Sequence, residues 1–126
     1  MNQNTEVSQV GVWVPASVSQ EPSITLVRWQ IIRVRANDID TFHFVGDRKG
    51  STHARVSSTM TAFDKSTRRG ITHTGRVYEL HGDPDWLSDD AMYVLLRWLA
   101  LQGLTFNAVE DATIEVFPES VPRTES

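Results

Sequence analysis

The chain has 126 residues, 40% of them hydrophobic and 22% charged, with a formal net charge of −4. That is the length of one domain, with apolar content enough for a core of its own. Cysteine is absent, which excludes a disulfide framework, thiolate catalysis and cysteine-held metals or clusters, and fits a reducing, cytoplasmic setting. The net charge hides an asymmetry. Arg28 to Arg76 holds ten Lys/Arg against four Asp/Glu, while residues 77–126 hold two against ten. A basic middle and an acidic end can mark a polyanion-binding face, or two zones that face each other.

Met1 to Gln9 is polar, lacks the basic start and apolar run of a secretory signal, and reads as a disordered tail. No stretch approaches the roughly 20 apolar residues of a membrane span, so a soluble protein is expected. Val10 to Val14 is a short apolar run ended by Pro15, an edge-strand pattern. Ile24 to Ala36 carries the clearest strand signal. Its alternation changes phase, with Val27, Trp29 and Ile31 on one face and then Ile32 and Val34. One added residue flips every later side chain, so a bulge is expected near Ile31–Ile32. Asn37 to Asp40 is a turn and Thr41 to Val45 a strand. Gly46 to Gly50 is a polar loop, and His53 to Phe63 one alternating strand. Asp64 to Gly70 is a hairpin connection in which Gly70 supplies a positive φ. Ile71 to Leu80 is a strand bulged at Gly75.

The pattern then becomes helical. Asp83-Pro84 and Ser88 are alternative starts, and Gly103 is the stop. Ala91, Val94, Leu95, Trp98 and Leu99 form the stripe expected of a core-facing helix. Met92, Tyr93, Leu96 and Leu101 add apolar surface off that stripe, more than one helix on a small sheet can hide. Ala112 to Phe117 reads as a closing strand, and 118–126 as a second disordered tail. The expectation is a single α+β domain over 10–117: a curled antiparallel sheet, or small partly open barrel, of five to six strands with one C-terminal helix packed on it.

The segments Arg55-Val56-Ser57-Ser58, Phe63-Asp64 and Arg69 to Pro84, followed by Tyr93-Val94 and Arg97-Trp98, resemble a group of short uncharacterised bacterial proteins with a Gly-Arg-x-Tyr-x-Leu core, here Gly75 to Leu80. His73 and Thr74 ahead of the glycine are a minor departure. The resemblance covers about a third of the chain. It implies a small accessory protein associated with mobile elements, and it transfers no catalytic residue.

Few residues point to chemistry. His43, His53, His73 and His81 lack the helical spacing of a metal pair, and neither a metal site nor another cofactor is expected. There is no nucleophile elbow, phosphate loop or dinucleotide fingerprint, so the reading leans away from an enzyme. Asp89 and Asp90 suit a helix start. Three functions remain. The first is an interaction module, homodimeric through the helix 88–102, with Met92, Tyr93, Leu96 and Leu101 at the seam and room for an unidentified protein partner. The second is a nucleic-acid-binding β-domain using Arg33, Arg35, Arg55, Arg68, Arg69 and Arg76, with Trp13, Trp29, Phe42 and Phe44 interleaved as stacking platforms or, more readily since they share faces with Ile and Val, as core. The third is a small-molecule pocket inside the curled sheet.

Overall fold

The computed structural model describes residues 17–119. The expected tail 1–9, the edge strand Val10–Val14, Trp13 and residues 120–126 lie outside the described residues. The described chain is α+β, with seven strands in one mixed, unclosed sheet and two α-helices. The strands are β1 (Ser23–Ala36), β2 (Ile39–Arg48), β3 (Ala54–Val56), β4 (Met60–Asp64), β5 (Arg69–Thr72), β6 (Val77–Leu80) and β7 (Val109–Asp111), with α1 at Asp89–Leu101 and α2 at Thr113–Val116.

β1 organises the sheet. Its two halves face different neighbours on one edge, β6 in parallel along Ser23–Leu26 and β7 antiparallel along Ile32–Val34. The expectation of a purely antiparallel sheet of five or six strands is corrected here. The sheet is larger, and the return of β6 beside the start of β1 makes it mixed.

A bulge separates the two halves, but earlier than expected. Pairing with β2 slips between Val27 and Gln30, and Arg28 takes a positive φ of 48°. Ile24 and Leu26 before the bulge share a core with Trp29 and Ile31 after it. Ile32 and Val34 enter a second core on the opposite face, with Val45, Val56 and α1. The phase change at Ile31–Ile32 is therefore a strand buried on both faces. The connector 81–87 follows the kink. The Asp85 N–H donates to the Trp29 carbonyl, and the Trp29 indole N–H lies 3.2 Å from both the His81 and Gly82 carbonyls.

β1 and β2 join through Asn37 and Asp38, both at positive φ (54° and 63°), the backbone of a type I′ hairpin turn. β2 runs on through Gly46, Asp47 and Arg48, which were expected in a loop. Gly46 is strand because only a glycine fits: a Cβ there would stand 2.9 Å from the Val27 carbonyl oxygen and 3.0 Å from the Trp29 Cα.

The single strand expected over His53–Phe63 is two. β3 pairs with β2 and β4 with β5, at opposite ends of the strand order β3-β2-β1-β6-β5-β4. Only 57–59 joins them, so the sheet curls until its two ends approach. Ser57 ties the junction. Its N–H donates to the Phe44 carbonyl (2.8 Å) and its Oγ accepts from the Phe44 N–H (2.9 Å).

β4 and β5 form a hairpin opened by Asp64, whose carboxylate takes the Ser66 hydroxyl and N–H. Those bonds hold the Asp64 carboxyl below the usual carboxylate range. Gly70 does not provide the positive φ of this turn; Arg68 does (58°). Gly70 lies in β5, where a Cβ would overlap the Phe44 ring. Gly75 (φ 93°) is the turn between β5 and β6 rather than a bulge within one strand.

Ser88, not Asp83, caps α1. Its Oγ accepts from the Ala91 N–H (3.0 Å) and donates to Asp47 Oδ1 (2.6 Å), fastening the helix to β2. The stripe Ala91, Val94, Leu95, Trp98, Leu99 is buried against β2 and β3 as expected. Gly103, at φ 76°, ends the helix region.

The closing strand expected over Ala112–Phe117 is displaced. β7 precedes it at Val109–Asp111, and 113–116 is the short helix α2. The Thr113 hydroxyl oxygen accepts from the Ile31 N–H (3.1 Å), so a side chain continues the ladder where the backbone turns away. Phe117 then enters the first core, that of Ile24, Leu26 and Ile31, stacked on Trp29 with ring centroids 6.4 Å apart and tilted against Phe63 at 5.5 Å.

Candidate functional site

Two surfaces compete for function, the basic residues of the sheet and the outer face of α1.

The basic residues do not form one free cationic face. Arg55 and Arg76 are buried, with the Arg55 Nε donating to the Tyr78 hydroxyl (3.2 Å) and the Arg76 Nε to the Glu21 carbonyl (3.0 Å). Expected on neighbouring strands, Arg55 instead lies in β3 and Arg76 in the turn before β6, and both are buried, so their expected role as surface phosphate contacts is corrected. Arg33 bridges Glu110 of β7 and Glu115 beside it in α2, which raises the pKa of its guanidinium. Arg35 pairs with Asp40 (3.0 Å), Arg69 with Glu79 (3.1 Å) and Arg68 with Asp83 (4.0 Å). Lys65 meets Glu119 at 3.7 Å. The basic middle thus meets the acidic C-terminal third at Arg33, Lys65, Arg68 and Arg69. Trp29 and Phe44 are core rather than stacking platforms, and Phe42 is half-buried.

Arg33, Arg35, Asp40, Asn107, Ala108 and Glu110 line an open groove of about 330 Å³. It is polar and carries both signs of charge, unlike the mainly apolar concavity of a small-molecule site.

His53, His73 and His81 are exposed. His43 is buried between β2 and α1, edge-on to the Trp98 ring at 4.8 Å. Its Nδ1 is 2.9 Å from the Ser57 carbonyl oxygen and must donate to it. Its Nε2, 2.8 Å from the Thr41 hydroxyl, then accepts. Both ring nitrogens are engaged, and the Nδ1 bond holds β2 to the 57–59 junction. Among the described residues no group of three His, Asp or Glu is placed to hold a metal ion.

The outer face of α1 is different in kind. Tyr93, Leu96 and Leu101 are 49%, 45% and 54% exposed, while Met92 is half-buried against the core. Ala100 adds to the exposed strip. Arg97 lies among these side chains, its guanidinium 5.8 Å from the Tyr93 ring centroid and its Nη1 donating to the Tyr93 hydroxyl (3.0 Å). Asp89 and Asp90 occupy the first turn, and Asp90 Oδ2 accepts from the Ala54 N–H of β3 (2.9 Å). The strip therefore stands on a rigid platform, with its far face committed to the core and its start clamped to β2 and β3. Of the four expected seam residues, three are exposed and Met92 is shared with the core.

Trp86, 61% exposed just ahead of Ser88, was missed as a surface residue. Its setting, a large aromatic in an Asp/Pro-rich connector outside any periodic stripe, was the available signal. The Arg97–Tyr93 pair was equally visible as an i, i+4 pair on a helix.

Among the described residues no helix is long and apolar enough to cross a membrane. Comparison with protein-family models, curated proteins and solved structures returns no match.

Proposed function

We propose that the protein is a small accessory interaction module that associates with a second copy of itself through the outer face of α1. The observation that carries this is the row Tyr93, Leu96, Ala100 and Leu101, exposed on a helix whose other side is buried in the core. Scattered exposed apolar residues need no explanation, but a contiguous row on a rigid element marks a contact surface. A cytoplasmic setting belongs to the same reading and is supported by the cysteine-free composition. So does an accessory role within mobile elements, which the Gly75–Leu80 resemblance supports.

One 13-residue helix per copy offers less than the roughly 800 Å² per partner of a standard stable interface. The association therefore belongs in the micromolar range, about −8 kcal/mol. Light scattering and sedimentation across micromolar to millimolar protein should show mass rising from monomer to dimer. Leu96→Glu, which puts a charge in the middle of the row, should weaken the dimer at least about tenfold and leave the circular dichroism spectrum unchanged. A wild-type chain still monomeric at millimolar concentration would end this reading.

The nucleic-acid reading has less support, because each of its six arginines is either buried or paired with a carboxylate. The small-molecule reading has only the polar groove beside Arg33.

A further inference from the structure

We propose that the two copies meet in an antiparallel register, with Arg97 of each helix set against Asp90 of the other. The proposal rests on the self-association reading above and specifies its partner geometry.

Asp90 and Arg97 are seven residues apart, two helical turns or roughly 10 Å along the axis and on nearly the same flank. The apolar residues Tyr93 and Leu96 lie between them in sequence. A twofold axis between antiparallel helices reverses their direction and keeps each flank beside its own copy. With the axis crossing α1 near Tyr93–Val94, Asp90 of one copy falls beside Arg97 of the other, twice per dimer. A parallel pairing would instead set each residue level with its own copy on the opposite flank, leaving Arg97 about 10 Å along the axis from Asp90.

Two local observations favour the antiparallel arrangement. Among the described residues Arg97 has no carboxylate partner in its own chain, its bond being to the Tyr93 hydroxyl. Asp90 spends one oxygen on the Ala54 N–H and keeps the other for a second donor.

Two charge-reversed variants test this. Arg97→Glu sets Glu against Asp90 in its own dimer, and Asp90→Lys sets Lys against Arg97. Each should self-associate roughly ten- to thirtyfold more weakly than wild type at low salt. An equimolar mixture restores both opposite-charge contacts and should form a heterodimer of near wild-type affinity, read by native mass spectrometry. Asp90→Lys loses the bond to Ala54, so a second measurement stands apart from it. The chain has no cysteine, so single cysteines report the register directly. Tyr93→Cys lies near the axis and should cross-link on oxidation. Leu101→Cys places its two copies roughly 20 Å apart, beyond the ~7 Å limit for a disulfide, and should stay free. A wild-type dimer whose variants gain nothing on mixing, or whose Leu101→Cys form cross-links, overturns the register and leaves self-association standing. A wild-type monomer removes both.

Discussion

At neutral pH the His43 ring is uncharged, because burial between β2 and α1 lowers its pKa to about 4. The Ser57 carbonyl, which accepts the Nδ1 proton, pulls the other way and is outweighed by desolvation. Once unfolded, the ring titrates near 6.5. Between pH 6.5 and 4 the unfolded chain binds a proton that the folded chain does not, so stability is full above pH 6.5 and falls as pH drops towards 4. The loss should reach about 3 kcal/mol. Urea unfolding at intervals from pH 7.5 to 4.5 measures it, and His43→Gln should flatten that portion of the profile. An equally steep profile in the variant would assign the acid sensitivity elsewhere. Burial of this ring was not legible from Thr41 to Val45, where His43 alternates with Phe42 and Phe44 and reads as the exposed face. Gly70 was misread for a related reason. A turn glycine and a glycine that admits an aromatic ring look alike in sequence, and only the approach of Phe44 from another strand separates them.

Helix α1 was the most legible element, since its stripe and stop are local signals. Its start was ambiguous between Asp83 and Ser88, and the tie to Asp47 on β2 decides for Ser88. Ser88→Ala removes both the cap and that tie and should cost about 1 to 2 kcal/mol, measured as a shift in urea midpoint with an unchanged slope. A shift below a few tenths of a kcal/mol would show that Asp89 and Asp90 suffice to hold the helix start. The strands were less legible. His53–Phe63 contains a break that alternation alone passes over, and the interruption at Gly75 in Ile71–Leu80 was legible but reads as a bulge where the chain makes a turn. The Ser57–Thr59 junction keeps an alternating pattern while changing neighbours, and pairing is a long-range property that no window of ten residues contains. The bulge in β1 was legible as a phase change but not in place, because a strand buried on both faces mimics one.

The charge asymmetry was read correctly as a feature of the whole molecule, and its meaning was left open between a polyanion site and mutual neutralisation. Arg33, Lys65, Arg68 and Arg69 meet carboxylates from the C-terminal third, which favours neutralisation. With a net charge of −4 as well, the protein should show no measurable binding to mixed-sequence DNA or RNA by fluorescence anisotropy, even at low salt. Binding that weakened steeply with salt would return the arginines to first place. The outer face of α1 was legible because its apolar residues exceed what a core stripe requires. That these residues belong to one exposed row became clear only when the opposite side was seen to be filled by β2 and β3.

The split edge of β1 has a consequence for biosynthesis. Residues Ile32–Val34 wait for β7, which begins at Val109. At synthesis rates of roughly 5–20 residues per second, β7 follows by about 4 to 15 s. During that interval one of the most apolar strands of the protein has an unfilled edge on the ribosome. Any premature termination ahead of Val109 makes that state permanent, with Ile32 and Val34 in an open strand able to recruit another chain. β7 thus protects β1, and the yield of soluble protein depends on translation reaching it promptly.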